Sequence, residues 1–241
     1  MSRAKMSKTK ISRAKMSNTR ISKVKMSQAA IFDIDKTIVN GNTGMLYVMH
    51  FFLKGIISPL YAIKINYYVL RYMLHRLDYE SAMRYAYSAT RGWPVEKLKK
   101  MIKRYHDKRI RHLVYNDMKR IIDEHKKDGR LIIFATNSWE VMVENIAEEL
   151  KPDYLISTRI GVKCNRFTGE VIQPCFGRHK SELVKNLAAE KKIDMKKSYA
   201  YSDHISDLSL LESVGNPVAV NPENRLMAVA KKRGWKVIFP K

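Results

Sequence analysis

Short apolar runs alternate with stretches of helical period along most of this chain. Ala29–Asp35, Arg130–Asn137, Asp153–Ser157, Ser198–Asp203, Pro217–Asn221 and Lys236–Phe239 read as short buried strands. Helical patterns occupy residues 139–150, 179–191, 206–213 and 223–233, with Gly129 and Gly234 as stops ahead of strands. Continuous apolar strands separated by helices predict an α/β fold, a three-layer, doubly wound parallel sheet covered on both faces. Cys164–Val171, with Thr168-Gly169, reads as a small hairpin projecting from that core.

Residues 44–125 break the alternation. They are helix-patterned, rich in Tyr and Met, and carry no convincing strand, which predicts an inserted helical cap. The organisation expected is a basic arm at 1–27, a core built from 28–43 and 126–241, and the cap at 44–125. The early cap is apolar enough to raise the question of a membrane. Lys54, Lys64 and Arg71 interrupt it and Pro59 breaks it, so no uncharged run approaches the ~18 residues of a span. Packing between cap and core is the default for this segment, with an interfacial or lipid-facing surface as the alternative.

Charge changes the picture in two places. The chain has 46 Lys and Arg against 23 Asp and Glu, a formal net charge of +23. Nine of the basic residues lie in the first 27, where a five-residue repeat (MSRAK, MSKTK, ISRAK, MSNTR, ISKVK) contains no acid. A five-residue step gives neither a helical stripe nor one face of a strand, so a disordered arm is expected, able to meet a polyanion or an anionic membrane surface. A second excess, +11, sits in residues 44–130. The two cysteines, Cys164 and Cys175, match neither a disulfide framework nor a four-ligand zinc site. There is no apolar signal segment, and the expected place is the cytoplasm, with a peripheral membrane contact left open.

Chemistry gathers at the strand ends. In open parallel sheets, ligands bind beyond the carboxyl ends of the strands. The first strand ends in Asp33-Ile34-Asp35-Lys36-Thr37, and the second stops at Thr136-Asn137-Ser138. Lys180 opens a helix after Gly177, and the Ser198–Asp203 strand runs into Asp203-His204-Ile205-Ser206-Asp207. Each cluster alone has a bland explanation as a turn, core or surface feature. Four of them at successive expected carboxyl-edge loops are hard to produce by accident.

With Asp33, Asp35 and Thr37 as a DxDxT motif, then Thr136, Lys180, Asp203 and Asp207 in order, the chain resembles the haloacid dehalogenase superfamily of phosphatases. The flanking text, YSDHISDLSLLE and PVAVNPENRL, is similar to the phosphoserine-phosphatase-like branch, whose helical cap follows the first motif. The resemblance covers nearly all of residues 29–240. It implies that Asp33 attacks phosphorus and forms an aspartyl-phosphate, and that Asp35 serves as acid and then base. It implies Mg²⁺ on the Asp33 and Asp203 carboxylates and the Asp35 carbonyl, with Asp207 holding a metal-bound water or orienting Lys180. Thr136, Asn137 and Lys180 would bind the phosphoryl oxygens.

Three departures bear on substrate. Asn137 and Trp139 stand where relatives often have a small residue and a proline. His204 replaces a common Ser or Gly, with a bystander role expected. The stretch Val39–Thr43 lacks the glutamate that phosphoserine phosphatases use to hold the substrate amine, which argues against phosphoserine. The basic cap holds His50, His75, His106, His112 and His125, and His106–Arg111 is expected to be a solvated helix face. The substrate expected is a small or lipid-like phosphomonoester. The rival readings are a phosphotransferase of the same fold, or a polyanion- or membrane-surface-binding protein that retains a phosphatase core. No specific nucleic-acid motif is present.

Overall fold

The computed structural model describes residues 26–73 and 79–241. The basic repeat at 1–25, with the arm expected there, and His75 lie outside them. The strands are β1 (Ala29–Phe32), β2 (Leu131–Trp139), β3 (Tyr154–Lys163), β4 (Arg166–Gln173), β5 (Tyr199–Ser202), β6 (Asn216–Val220) and β7 (Lys236–Ile238). They form one sheet in the order β4-β3-β2-β1-β5-β6-β7. Every neighbouring pair is parallel except β3 and β4. β1 is central and the order reverses beside it, so its carboxyl end opens at the switch point where such sheets bind ligands.

Side-chain alternation explains why the sheet is covered twice. Ala30 and Phe32 of β1, Ile132 and Phe134 of β2, and Val218 and Val220 of β6 all face one core. Their neighbours Ala29, Ile31, Ile133, Ala135 and Ala219 face the other. That is the period-2 geometry of strands, with apolar residues on both sides because neither side meets water. The second face is covered by α7 (Gly177–Glu190), the short α8 (Leu208–Leu211) and α9 (Asn224–Arg233), through Val184, Ala188, Leu210, Leu226 and Ala230. α9 ends at Gly234 in the left-handed conformation, φ 66°, where a side chain would be strained.

The first face carries α6 (Glu140–Leu150) and the helices between β1 and β2: α1 (Thr43–Leu53), α2 (Pro59–Met73), α3 (Tyr79–Ser88), α4 (Val95–Lys108) and α5 (Asn116–Lys127). Pro59 stands at the first helical position of α2, where its missing N–H costs nothing. Met118 and Ile122 of α5 share the core with β1 and β2. His125, on the same helix, reaches the Tyr201 hydroxyl at 2.8 Å. Arg130 donates to the other ring nitrogen of His125 at 3.1 Å, which fixes the neutral tautomer with its proton toward Tyr201. Burial and the Arg130 charge push the His125 pKa down to about 4.

Two expectations change. The hairpin extends the sheet, with its turn at Cys164-Asn165, where both residues have positive φ (49° and 56°) as a two-residue hairpin turn demands. Gly169 instead lies within β4, φ 76°, where a Cβ would meet the Ser88 carbonyl oxygen of α3 at 3.0 Å. His106–Arg111 is solvated at Asp107, Lys108, Arg109 and Arg111, as expected, but His106 and Ile110 turn inward. Leu98, Ile102, His106 and Ile110 recur every four residues and are buried together, because helical period places them on the side that packs on α6. His106 faces Glu149 of α6 at 3.6 Å.

Candidate active site

β1 ends at Phe32, and Asp33 still donates its N–H to the Tyr201 carbonyl at 2.9 Å. The chain then turns. The N–H groups of Ile38 and Val39 both bond the Ile34 carbonyl, and Lys36 takes a left-handed φ of 57°. This tight loop aims Asp33 and Asp35 into one cleft of ≈ 300 Å³ at the carboxyl edge of the sheet. Asn137, Lys180, Asp203 and Asp207 line the same cleft, joined by Lys36, Asn42, Phe176, Gly177, His204 and Ser206. A larger hollow of ≈ 530 Å³ beside Met26, Ala188 and Met195 carries lysines but no acid or nucleophile, so it offers no comparable chemistry.

Lys180 stands at the centre of the charges. It lies in the first turn of α7 and is almost fully buried. Its Nζ donates to Asp33 Oδ1 at 2.9 Å and to Asp207 Oδ2 at 2.8 Å, leaving a third N–H for an oxygen in the cleft. Burial alone would lower its pKa, but the Asp207 and Asp33 carboxylates outweigh that and raise it, so it stays a cation. Ser202, at the end of β5, donates to the same Asp207 oxygen at 2.7 Å.

Asp35 is held differently. One oxygen accepts the Thr43 N–H at 2.8 Å, and the other accepts the Ser138 hydroxyl at 2.7 Å. The Thr43 and Ser138 hydroxyls are 3.1 Å apart. With Asp35 ionised, Ser138 commits its only proton to the carboxylate, so Thr43 donates to Ser138 in turn. Burial raises the Asp35 pKa against the opposing pull of these hydrogen bonds. Asp33 is pushed well above the usual carboxylate range, chiefly by burial and by its acidic neighbours, against the pull of Lys180. Burial likewise lifts Asp203 to about 7, with Lys36 opposing.

Beyond the burial that drives those upward shifts, the cleft carries a charge deficit. Four buried carboxylates face two ammonium groups, Lys36 and Lys180, which leaves two negative charges uncompensated. Asp207 Oδ1 is also buried with no hydrogen-bond partner. The donors are all hard oxygens, the kind that suits a small divalent cation. Among the described residues no group of three or more His, Cys, Asp or Glu side chains is arranged around one metal position. A site on two carboxylates, the Asp35 carbonyl, phosphate and water needs no such group. The cleft therefore fits Mg²⁺ by charge and donor type.

Of the residues expected from sequence, Asp33, Asp35, Asn137, Lys180, Asp203 and Asp207 meet at this cleft. Thr136 is fully buried behind its wall, and its Oγ1 accepts the Ser138 N–H at 3.2 Å. These residues are strand rather than helix start, since β2 runs on to Trp139 through an irregular register and α6 begins at Glu140. His204 lines the cleft too, but its ring is engaged with neighbours, Nδ1 accepting the Ser206 N–H at 3.1 Å and Nε2 lying 3.7 Å from Glu223. Sequence reasoning missed Thr43, Ser138 and Ser202 as partners of the acids. It also missed Lys36, although its place beside Asp35 in the motif was a usable signal.

The sequence pattern of haloacid dehalogenase-like hydrolases matches residues 30–212. This chain belongs to that family. A protein of Streptomyces azureus described as inhibiting morphological differentiation is 32% identical over 214 residues, covering 87% of this chain and 77% of its own. A probable phosphatase of Mycobacterium tuberculosis is 32% identical over 213 residues, covering 87% and 74%. The crystal structure of a protein of unknown function from Bordetella pertussis superposes with a TM-score of 0.82 at 25% identity, covering 88% of this chain and 98% of that one. A phosphoserine phosphatase caught as a phospho-aspartyl analogue shares the fold, with a TM-score of 0.65 at 23% identity over 90% and 95% of the two chains. The chain is thus a haloacid dehalogenase-like hydrolase with the fold of the phosphoserine phosphatases.

Proposed function

We propose that this protein hydrolyses a small or lipid-like phosphomonoester through a phosphoryl group carried on Asp33. The observation that carries the reading is the contrast between two carboxylates at one cleft. Asp33 sits on the Lys180 ammonium, whereas Asp35, two residues on, is held by neutral donors alone. Carboxylates in such different surroundings take different parts in acid–base chemistry.

In this reading an Asp33 oxygen attacks phosphorus and the bond to the leaving oxygen breaks, while Asp35 gives that oxygen its proton. Asp35, now a carboxylate, takes a proton from the water that attacks the same phosphorus. Inorganic phosphate leaves and Asp33 is regenerated. Lys180 holds Asp33 in line and offers its remaining N–H to a phosphoryl oxygen, with Asn137 lining the same cleft. Thr136 supports that wall from behind through Ser138. Asp33, Asp203 and the Asp35 carbonyl would hold Mg²⁺, and Asp207 would orient Lys180. Bound there, Mg²⁺ would neutralise the excess carboxylate charge and polarise the phosphoryl oxygens.

A cleft of ≈ 300 Å³ has room for a phosphate and a few atoms beyond it, so the rest of a substrate would extend past Asn42 along the helices of 44–125, taken here as the cap over the core of 28–43 and 126–241. The test is phosphate release from phosphoserine, glycerol phosphate, nucleotides and lipid phosphates of rising chain length, with Mg²⁺ or EDTA. Release that needs Mg²⁺, and improves with chain length, is the expected result. Release with EDTA present, or transfer to an acceptor other than water, would overturn the reading.

A further inference from the structure

α1 is apolar on two opposite faces. Tyr47 and Phe51 are buried against the core, while Met45, Met49, Phe52 and Leu53 point to solvent on the far side. α2 repeats the pattern with Leu60, Ile63 and Tyr67 exposed at helical spacing. Of the twelve exposed large hydrophobic residues among the described ones, eight lie between positions 45 and 67. A helix apolar on all sides is ordinarily buried on all sides, and an exposed patch of this kind marks a binding surface.

Charge says what kind of partner. From Lys36 to Leu77 there is no acidic residue, and Lys54 and Lys64 are exposed within the apolar patch. A second copy docking face to face would set those lysines against their like, with no acid in the segment to pair them. An anionic bilayer meets both requirements, because acyl chains take the apolar stripes and lipid phosphates take the lysines. Helix length argues against crossing: no helix among the described residues is long and apolar enough to span a membrane. Lying on the surface needs only the outer faces.

We infer that the outer face of α1 and α2 seats this protein on an anionic lipid surface. The two ends of α1 then have separate tasks. Asn42 caps its start, with Oδ1 accepting the Met45 N–H at 2.8 Å, and lines the catalytic cleft. Leu53 and Ile56 form the far tip, at the turn through Gly55. Eleven residues of helix make about 16 Å, so docking would hold the cleft close to the headgroup plane.

The experiment is co-sedimentation of the full chain with phosphatidylcholine vesicles, with and without phosphatidylglycerol. Wild type is expected to bind only the anionic vesicles. Leu53→Ser combined with Ile63→Ser removes two large apolar contacts at exposed positions and should weaken binding about a hundredfold with an unchanged melting curve. In a Leu53→Trp protein, the added indole should shift to the blue on anionic vesicles and be quenched by lipids brominated along the acyl chain. Two results would overturn the inference. One is unaltered binding by the double variant, which would assign attachment to the basic repeat at 1–25. The other is a wild-type dimer in lipid-free solution that the double variant dissociates, which would make a second copy the occupant.

Discussion

At the carboxyl edge of the sheet, Asp33, Asp35, Asp203, Asp207 and Lys180 are between 2% and 7% exposed, whereas Leu53 and Ile63 on the outer helices are 75% and 66% exposed. One region buries charge and the other displays hydrocarbon. Both run against the tendency that shapes the rest of the molecule, where Phe32, Phe134 and Ile122 are sealed between layers. Exposed apolar groups scattered singly need no explanation, but a buried charged cluster and a contiguous apolar patch do. The cleft holds most of its charge on partners inside the protein, Lys180 for Asp33 and Asp207, and Thr43 and Ser138 for Asp35, and the excess that remains suits a divalent cation. The outer face has no such internal compensation, so its partner must come from outside.

The strongest way to break the comparison is Lys180→Met. It leaves Asp33 and Asp207 buried without their cation, a change that typically costs about 3–5 kcal/mol. Phosphate release should fall by about a thousandfold or more, as expected for loss of a charge-stabilising donor. Urea titration and a release assay on the folded fraction separate the two effects. Retention of both stability and activity would show that the ion triad is dispensable.

A smaller effect sharpens the same point. Ser138→Ala removes the hydroxyl hydrogen bond to one Asp35 oxygen and leaves that oxygen buried without this donor. An interaction with a charged group is worth about 1.5–3 kcal/mol, so kcat should fall roughly tenfold to a hundredfold with KM little changed. Ser138→Thr, which keeps the hydroxyl, should restore most of the rate. An equal fall in both variants would point to packing rather than positioning.

The sheet was legible because its strands are continuous apolar runs and its breaks carry Gly129 and Gly234 in conformations only glycine takes without strain. The carboxyl-edge residues were legible because the fold repeats strand, loop and helix, so each motif announces its own edge. The hydroxyls that hold the acids were not. Ser138 lies 103 residues from Asp35 in sequence, and nothing local distinguishes it from any serine after a strand. β3 was expected to stop at Ser157 because Thr158 and Arg159 interrupt the apolar run. It continues to Lys163 because its outer half pairs with antiparallel β4, an edge that tolerates alternating polar positions. The apolar outer helices were visible as composition, but only the structure separates the buried stripe of Tyr47 and Phe51 from the exposed one of Met45 and Met49.

The central claim is that Asp33 carries the phosphoryl group. It is tested by quenching the enzyme during turnover of a phosphomonoester with Mg²⁺, reducing with borohydride, and sequencing the Asp33 peptide by mass spectrometry. An acyl-phosphate is reduced to the alcohol, so the account predicts that mass change at Asp33 and none at Asp35 or Asp203. An enzyme that releases phosphate while Asp33 stays unmodified would contradict it.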